Sequence, residues 1–78
     1  MSWKKDKDEQ DVWIDSSYGR GIRIYGDEIL VWDEKLSGGD AIDLHIRDDY
    51  PNLKKEVQRL IKMPYSEWKK LFDFGGVF

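Results

Sequence analysis

Residues 22–33 read IRIYGDEILVWD and carry the clearest structural pattern in the sequence. Ile22 and Ile24 alternate with polar neighbours, which is the pattern of a half-buried strand. The Gly26-Asp27 pair supplies a tight turn, because glycine tolerates a positive φ angle. The β-branched and aromatic residues that follow predict a second strand. The sequence therefore predicts a β-hairpin over residues 22–33.

Upstream of the hairpin the pattern changes twice. Residues 12–14, VWI, form a short β-type run that ends at the turn formers Asp15, Ser16 and Ser17. Residues 1–11 mix both signs of charge and offer little besides Trp3 to bury. We therefore expect a disordered N-terminal tail over residues 1–11, followed by one domain over residues 12–78.

The segment after the hairpin, residues 40–48, has two possible structures. Ile42, Leu44 and Ile46 alternate with polar residues, which favours a strand. Asp40 could instead cap a helix whose Ile42 and Ile46 face the core at i, i+4. Periodicity alone leaves both open.

The C-terminal third has helical patterning. A helix that opens at Pro51 or Asn52 carries Leu53, Val57, Leu60 and Ile61 as one apolar stripe, and Pro64 ends it. A last short helix follows. The fold class is therefore α+β, a small three-stranded antiparallel sheet packed with two to three helices. The predicted core comprises Trp13, Ile22, Ile24, Ile29, Val31, Ile42, Ile46, Leu53, Val57, Leu60, Ile61, Trp68, Leu71 and Phe72.

The composition excludes several kinds of functional site. The 78 residues contain no cysteine and one histidine, which excludes a disulfide scaffold and any thiolate metal site. No nucleophile has an activating partner, and we interpret the aspartates of residues 40–49 as caps and solvated surface. We therefore expect no enzyme activity, no metal and no cofactor. The longest apolar run, residues 29–32, is far too short for a membrane span, and with no signal peptide the expected location is the cytoplasm.

Charge is divided unevenly. Residues 12–50 carry four basic residues against nine acidic ones, whereas residues 51–78 carry six basic residues against three acidic ones. Single-strand binders combine cations with rings that stack on bases. The nucleic-acid-binding candidates are Arg20, Arg23, Tyr25, Trp32, Lys35, Lys55, Arg59 and Lys62.

Three segments resemble the zinc-binding domain of bacterial and phage DNA primases. These are 25–32 (YGDEILVW), 37–44 (SGGDAIDL) and 50–61 (YPNLKKEVQRLI), about half of the chain. All cysteine ligands are absent, so the chain resembles a zinc-less relative. The resemblance implies a helix over residues 40–48 and a role in phage or mobile-element DNA replication. In that role the chain is a non-catalytic accessory module that binds single-stranded DNA, a primase or a polymerase.

The alternative is a small acidic protein–protein interaction protein, an inhibitor or adaptor of a host enzyme. The acidic middle of the chain favours this reading, and so does the apolar C-terminal tip. Its partner-binding candidates are Phe74, Val77 and Phe78.

Overall fold

A computed structural model describes the backbone of residues 3–77 and the side chains of residues 3–73. Five antiparallel strands pair in chain order. The strands are β1 (Trp3–Lys5), β2 (Val12–Asp15), β3 (Arg20–Tyr25), β4 (Glu28–Asp33) and β5 (Ile42–Arg47). The helices are α1 (Glu34–Ser37), α2 (Tyr50–Ile61) and α3 (Tyr65–Trp68), and a 3₁₀ segment follows over Lys69–Val77. The α+β class is confirmed, but the three-stranded sheet is wrong because the sheet has five strands.

The predicted hairpin is present as β3 and β4. Ile22 pairs with Val31 and Ile24 pairs with Ile29 across the two strands. Gly26 occupies the turn with a φ of 63°, a conformation that residues with a side chain rarely adopt. The prediction for residues 22–33 is therefore confirmed, and the hairpin forms the middle of the sheet.

The first strand that the sequence prediction lacks is β1, at the N-terminus. Residues 3–11 do not form the tail that the sequence predicts, since Trp3 pairs with Asp15 and Lys5 with Trp13. The side chain of Trp3 packs edge-on against Trp68, with 5.7 Å between ring centroids. This partly buried ring and the backbone pairing with β2 together hold the short, otherwise charged strand at the edge of the sheet.

The second correction concerns residues 40–48, where the implied helix is wrong. Ile42–Arg47 forms β5, which pairs antiparallel with β4 through Val31 and Ile42. Pairing with β4 satisfies backbone groups along the strand and lets Ile42, Leu44 and Ile46 pack against the core. An irregularity in the register, with His45 at a φ of 60°, interrupts the ladder.

The core lies between one face of the sheet and the helices. Asp49 caps α2 by accepting a hydrogen bond from the backbone N–H of Asn52, and Pro51 occupies the first turn. All predicted core residues belong to this cluster. Nine of them are buried and five are partly buried, the latter being Ile42, Ile46, Ile61, Leu71 and Phe72.

The pleat separates two faces of the sheet. The face that packs against the helices, here called the covered face, carries Ile22, Ile24, Ile29 and Val31. The opposite side, the open face, carries Val12, Ile14, Arg23, Tyr25, Leu30 and Trp32, since these residues alternate with those of the covered face along β2, β3 and β4. The described helices pack against the core cluster on the covered face through residues such as Leu36, Leu53 and Trp68.

Candidate functional site

Arg20 lies on the covered face and is only 6% exposed. Its Nε atom donates a hydrogen bond to Oδ2 of Asp15 at 3.0 Å, and its Nη2 atom forms an ion pair with the same oxygen. Four aromatic rings surround the guanidinium with centroids 4.7–5.2 Å from Cζ, those of Trp3, Tyr18, Tyr65 and Trp68. The charge of Arg20 is therefore held inside the protein, and its assignment as a nucleic-acid contact stays a prediction that this burial does not support.

Asp33 forms a second buried polar centre on the same face. Its Oδ1 accepts hydrogen bonds from the backbone N–H groups of Lys35 and Leu36, which caps α1. Its Oδ2 accepts from the hydroxyl of Tyr65 and from Nε1 of Trp68, both at 3.0 Å. Burial and the hydrogen bond to Asp33 raise the pKa of Tyr65. This single carboxylate joins β4 to α1 and α3.

The open face is centred on Trp32. A Cβ atom at Gly21 would lie 2.0 Å from Cζ2 of Trp32, so the indole ring lies directly over the glycine backbone. The neighbouring guanidinium of Arg23 lies 5.3 Å from the ring centroid of Tyr25, which is 60% exposed. Three predicted site residues therefore share this face, with one indole fixed in place by a glycine.

Two shallow grooves flank the indole, and both are lined by Ile14 and Trp32. The first, about 370 Å³, is further lined by Asp6, Glu9, Val12, Arg23, Leu30 and Ala41. The second, about 410 Å³, is further lined by Ser16, Ser17, Tyr18, Gly19, Arg20, Glu34 and Lys35. Lys35 thus lies at the rim of the open face, and Trp32 forms the ridge between the grooves.

The remaining predicted contacts lie on the opposite side of the molecule. Lys55, Arg59 and Lys62 are exposed on α2 and its C-terminal cap, at i, i+4 and i+7 along one side of the helix. Arg59 forms an ion pair with Glu56, which raises the pKa of Arg59. We call these three residues the α2 stripe.

The structure therefore divides the predicted nucleic-acid site. It brings Arg23, Tyr25 and Trp32 together with Lys35 near them, and places the α2 stripe on another layer. The partner-binding candidates Phe74, Val77 and Phe78 lie outside the residues whose side chains are described.

The acidic residues serve local structure. The amide of Asn52 donates a hydrogen bond to Asp48, which lowers the pKa of Asp48, and Asp43 accepts from the backbone N–H of His45. Within residues 3–73 no three His, Asp or Glu side chains lie close enough together to hold a metal ion. The arrangement on the open face supports contact binding through an indole, aliphatic side chains and a few charges.

Sequence analysis missed two kinds of residue. Ile14 and Leu30 were not assigned to a surface, although each is adjacent in sequence to a residue predicted to be buried, and strand alternation would have placed both opposite the core. Asp33 was not singled out because its four donors come from α1 and α3, and the pairing of those elements is tertiary. The sequence shows only that Asp33 is a residue type that caps helices, three positions before Leu36.

Comparison with known proteins gives no relative: no family model, curated protein or solved structure matches this chain. Within the described residues, no helix is both long and apolar enough to cross a membrane.

Proposed function

We propose that this chain is a non-catalytic binding module that holds a protein partner on the open face of its sheet. The observation that carries the proposal is the position of Trp32. Its indole lies over Gly21 and lines two grooves, one on the open face and one that extends to the β2–β3 turn and the start of α1. Tryptophan and arginine are the residue types most often found at the energetic centre of protein interfaces.

The apolar surface around the indole supports a protein partner. Ile14 and Leu30 are only partly buried and lie beside Trp32, so aliphatic and aromatic contacts are available without unfolding. Arg23 and Lys35 add charged groups at the edge. An apolar centre with a polar rim is the usual arrangement of a protein interface.

The charges near the open face argue against a phosphate backbone there. Asp6 and Glu9 line the same groove as Arg23, and Glu34 lines the same groove as Lys35. Each groove thus carries carboxylates as well as a cation, which opposes the accumulation of phosphate groups. A protein surface with groups of both signs fits this pattern better.

Only the chemical character of the partner is proposed, from the residues of the open face that it would contact. The resemblance to primase zinc-binding domains stays a prediction, and the helix that it implied over residues 40–48 is wrong. A replication protein is therefore one possible partner, and a host enzyme that the chain inhibits or recruits is another. We keep the cytoplasm as the proposed location.

Affinity purification of the tagged chain from its host, with and without nuclease, tests the proposal. We expect a co-purifying protein that survives nuclease treatment and is lost in Trp32→Ala and in Arg23→Glu. Lys54→Glu, an equal charge reversal on α2, should retain it. Unfolding curves of each variant establish that it is folded. Loss of the partner on nuclease treatment, or its retention in both open-face variants, would contradict the proposal.

Single-stranded DNA is a second candidate, favoured by the exposed Arg23–Tyr25 pair. Stacking of a base on an aromatic ring contributes about 1–3 kcal/mol. A labelled oligonucleotide titrated at low salt should then bind the wild type and lose affinity in Tyr25→Ala. Binding that depends on the α2 stripe instead would place the nucleic acid on the helical side.

A further inference from the structure

A third groove lies on the helical side, away from the open face. It runs between the C-terminal end of α2 and the start of the 3₁₀ segment and measures about 570 Å³. It is lined by Arg59, Lys62, Met63, Glu67, Lys70 and Leu71. The proposed function does not use it.

The rim of this groove is mainly basic. Three of its lining residues are cations and one is acidic. Lys70 forms an ion pair with Glu67 at 3.2 Å, and Arg59 is paired with Glu56, so among the described residues Lys62 is the lining cation whose charge no ion pair offsets. Lys55 extends the basic surface along α2, and the α2 stripe spans about 10 Å, at 1.5 Å per residue.

The remaining lining residues are apolar. Met63 and Leu71 are partly buried and pack against the core, so their outer surfaces form the apolar part of the groove. Methionine adapts to different side chains because it is unbranched and polarisable. Among the residues whose side chains are described, the lining contains no aromatic ring, so those residues offer bases no stacking platform.

From this combination we propose that the groove docks an acidic amphipathic segment of a partner protein. Its carboxylates would lie along the α2 stripe and Lys70, and its apolar side chains would enter between Met63 and Leu71. A helix that presents apolar residues at i, i+3 and i+4 is one recurring way to fill such a groove. The chain would then contact proteins on two opposite surfaces.

The test uses three fluorescent probes titrated against the full chain. One is a peptide of glutamate with leucine at helical spacing, the second replaces each leucine by glycine, and the third is oligo(dT). We expect saturable binding of the first probe and at least about tenfold weaker binding of the other two. Lys62→Glu and Lys55→Glu together should weaken the first probe by at least about tenfold, whereas Lys54→Glu and Trp32→Ala should leave it unchanged.

Other results overturn the proposal. If oligo(dT) binds as tightly as the leucine peptide, the helical side is a nucleic-acid surface. Equal affinity for the two peptides would mean that they bind through charge alone and that their leucine side chains do not enter the groove. No binding of any probe, or equal loss in Lys54→Glu, would leave the groove without this role. Because Trp32→Ala tests the open face separately, failure of one surface is distinguishable from failure of the other.

Discussion

The two faces of the sheet use the same kinds of residue for different purposes. Arg20 and Arg23 lie three positions apart on β3, and both have aromatic rings within about 5 Å of the guanidinium. Arg20, on the covered face, is closed in by an ion pair and four rings, whereas Arg23, on the open face, is exposed. Residue type alone does not assign a binding role, because the face of the strand decides it.

A large loss of stability is expected when the carboxylate at the centre of the covered face is removed. Asp33→Ala removes the acceptor of four hydrogen bonds and leaves the buried indole N–H of Trp68 and the partly buried hydroxyl of Tyr65 without this acceptor. Buried donors without acceptors cost about 1–3 kcal/mol each, so we expect a loss of about 4 kcal/mol. A chain of this length has only about 4–12 kcal/mol in total. Urea unfolding followed by circular dichroism measures the change.

Asp40→Ala is the matched control for Asp33→Ala. Asp40 is exposed, and within the described residues its side chain accepts no hydrogen bond, so the expected change is below about 0.5 kcal/mol. Similar losses in the two variants would mean that the carboxylate of Asp33 does not hold α1 and α3 to the sheet.

Much of the covered face could be predicted from the sequence. The alternation of residues 22–25 and the apolar stripe of α2 identify buried positions locally, and the predicted core is confirmed. The same alternation places Arg20 on the side of Ile22 and Ile24, so the burial of Arg20 could also be predicted from the sequence. Its partners were not, because Trp3 and Trp68 come from opposite ends of the chain.

The edge strands are where sequence reasoning failed. β1 has a single large apolar residue, Trp3, within a charged run, so no local pattern indicates a strand. β5 has good alternation, but a capping aspartate and i, i+4 isoleucines fit a helix equally well. Pairing with β4 decides between them, and that pairing depends on the rest of the sheet.

Gly21→Ala tests the position of the Trp32 indole on the open face. The added Cβ would overlap the ring of Trp32, so the indole must move away. Overpacking of this kind costs about 1–3 kcal/mol. We expect a shifted Trp32 indole N–H signal in the NMR spectrum, with the Trp68 signal unchanged. An unchanged Trp32 signal would contradict the position of the ring.

A smaller effect concerns Tyr65 at alkaline pH. Because its pKa is raised in the folded state, the stability that it contributes is fully present below the ordinary tyrosine pKa and is lost as pH rises through the folded value. Tyr65→Phe should cost about 1 kcal/mol at neutral pH and show a shallower fall in stability above about pH 10. Unfolding measured as a function of pH tests this. Identical alkaline slopes would contradict it.

The paired variants Arg20→Ala and Arg23→Ala test most directly whether the face of the strand decides the role of each arginine. Arg20→Ala leaves Asp15, which is 1% exposed, as an unpaired buried carboxylate, so the free energy of unfolding should fall by about 3–5 kcal/mol. Arg23→Ala should change it by less than about 0.5 kcal/mol. Denaturant unfolding of both variants at neutral pH gives the two values. Equal losses, or a larger loss in Arg23→Ala, would contradict the division into a covered and an open face.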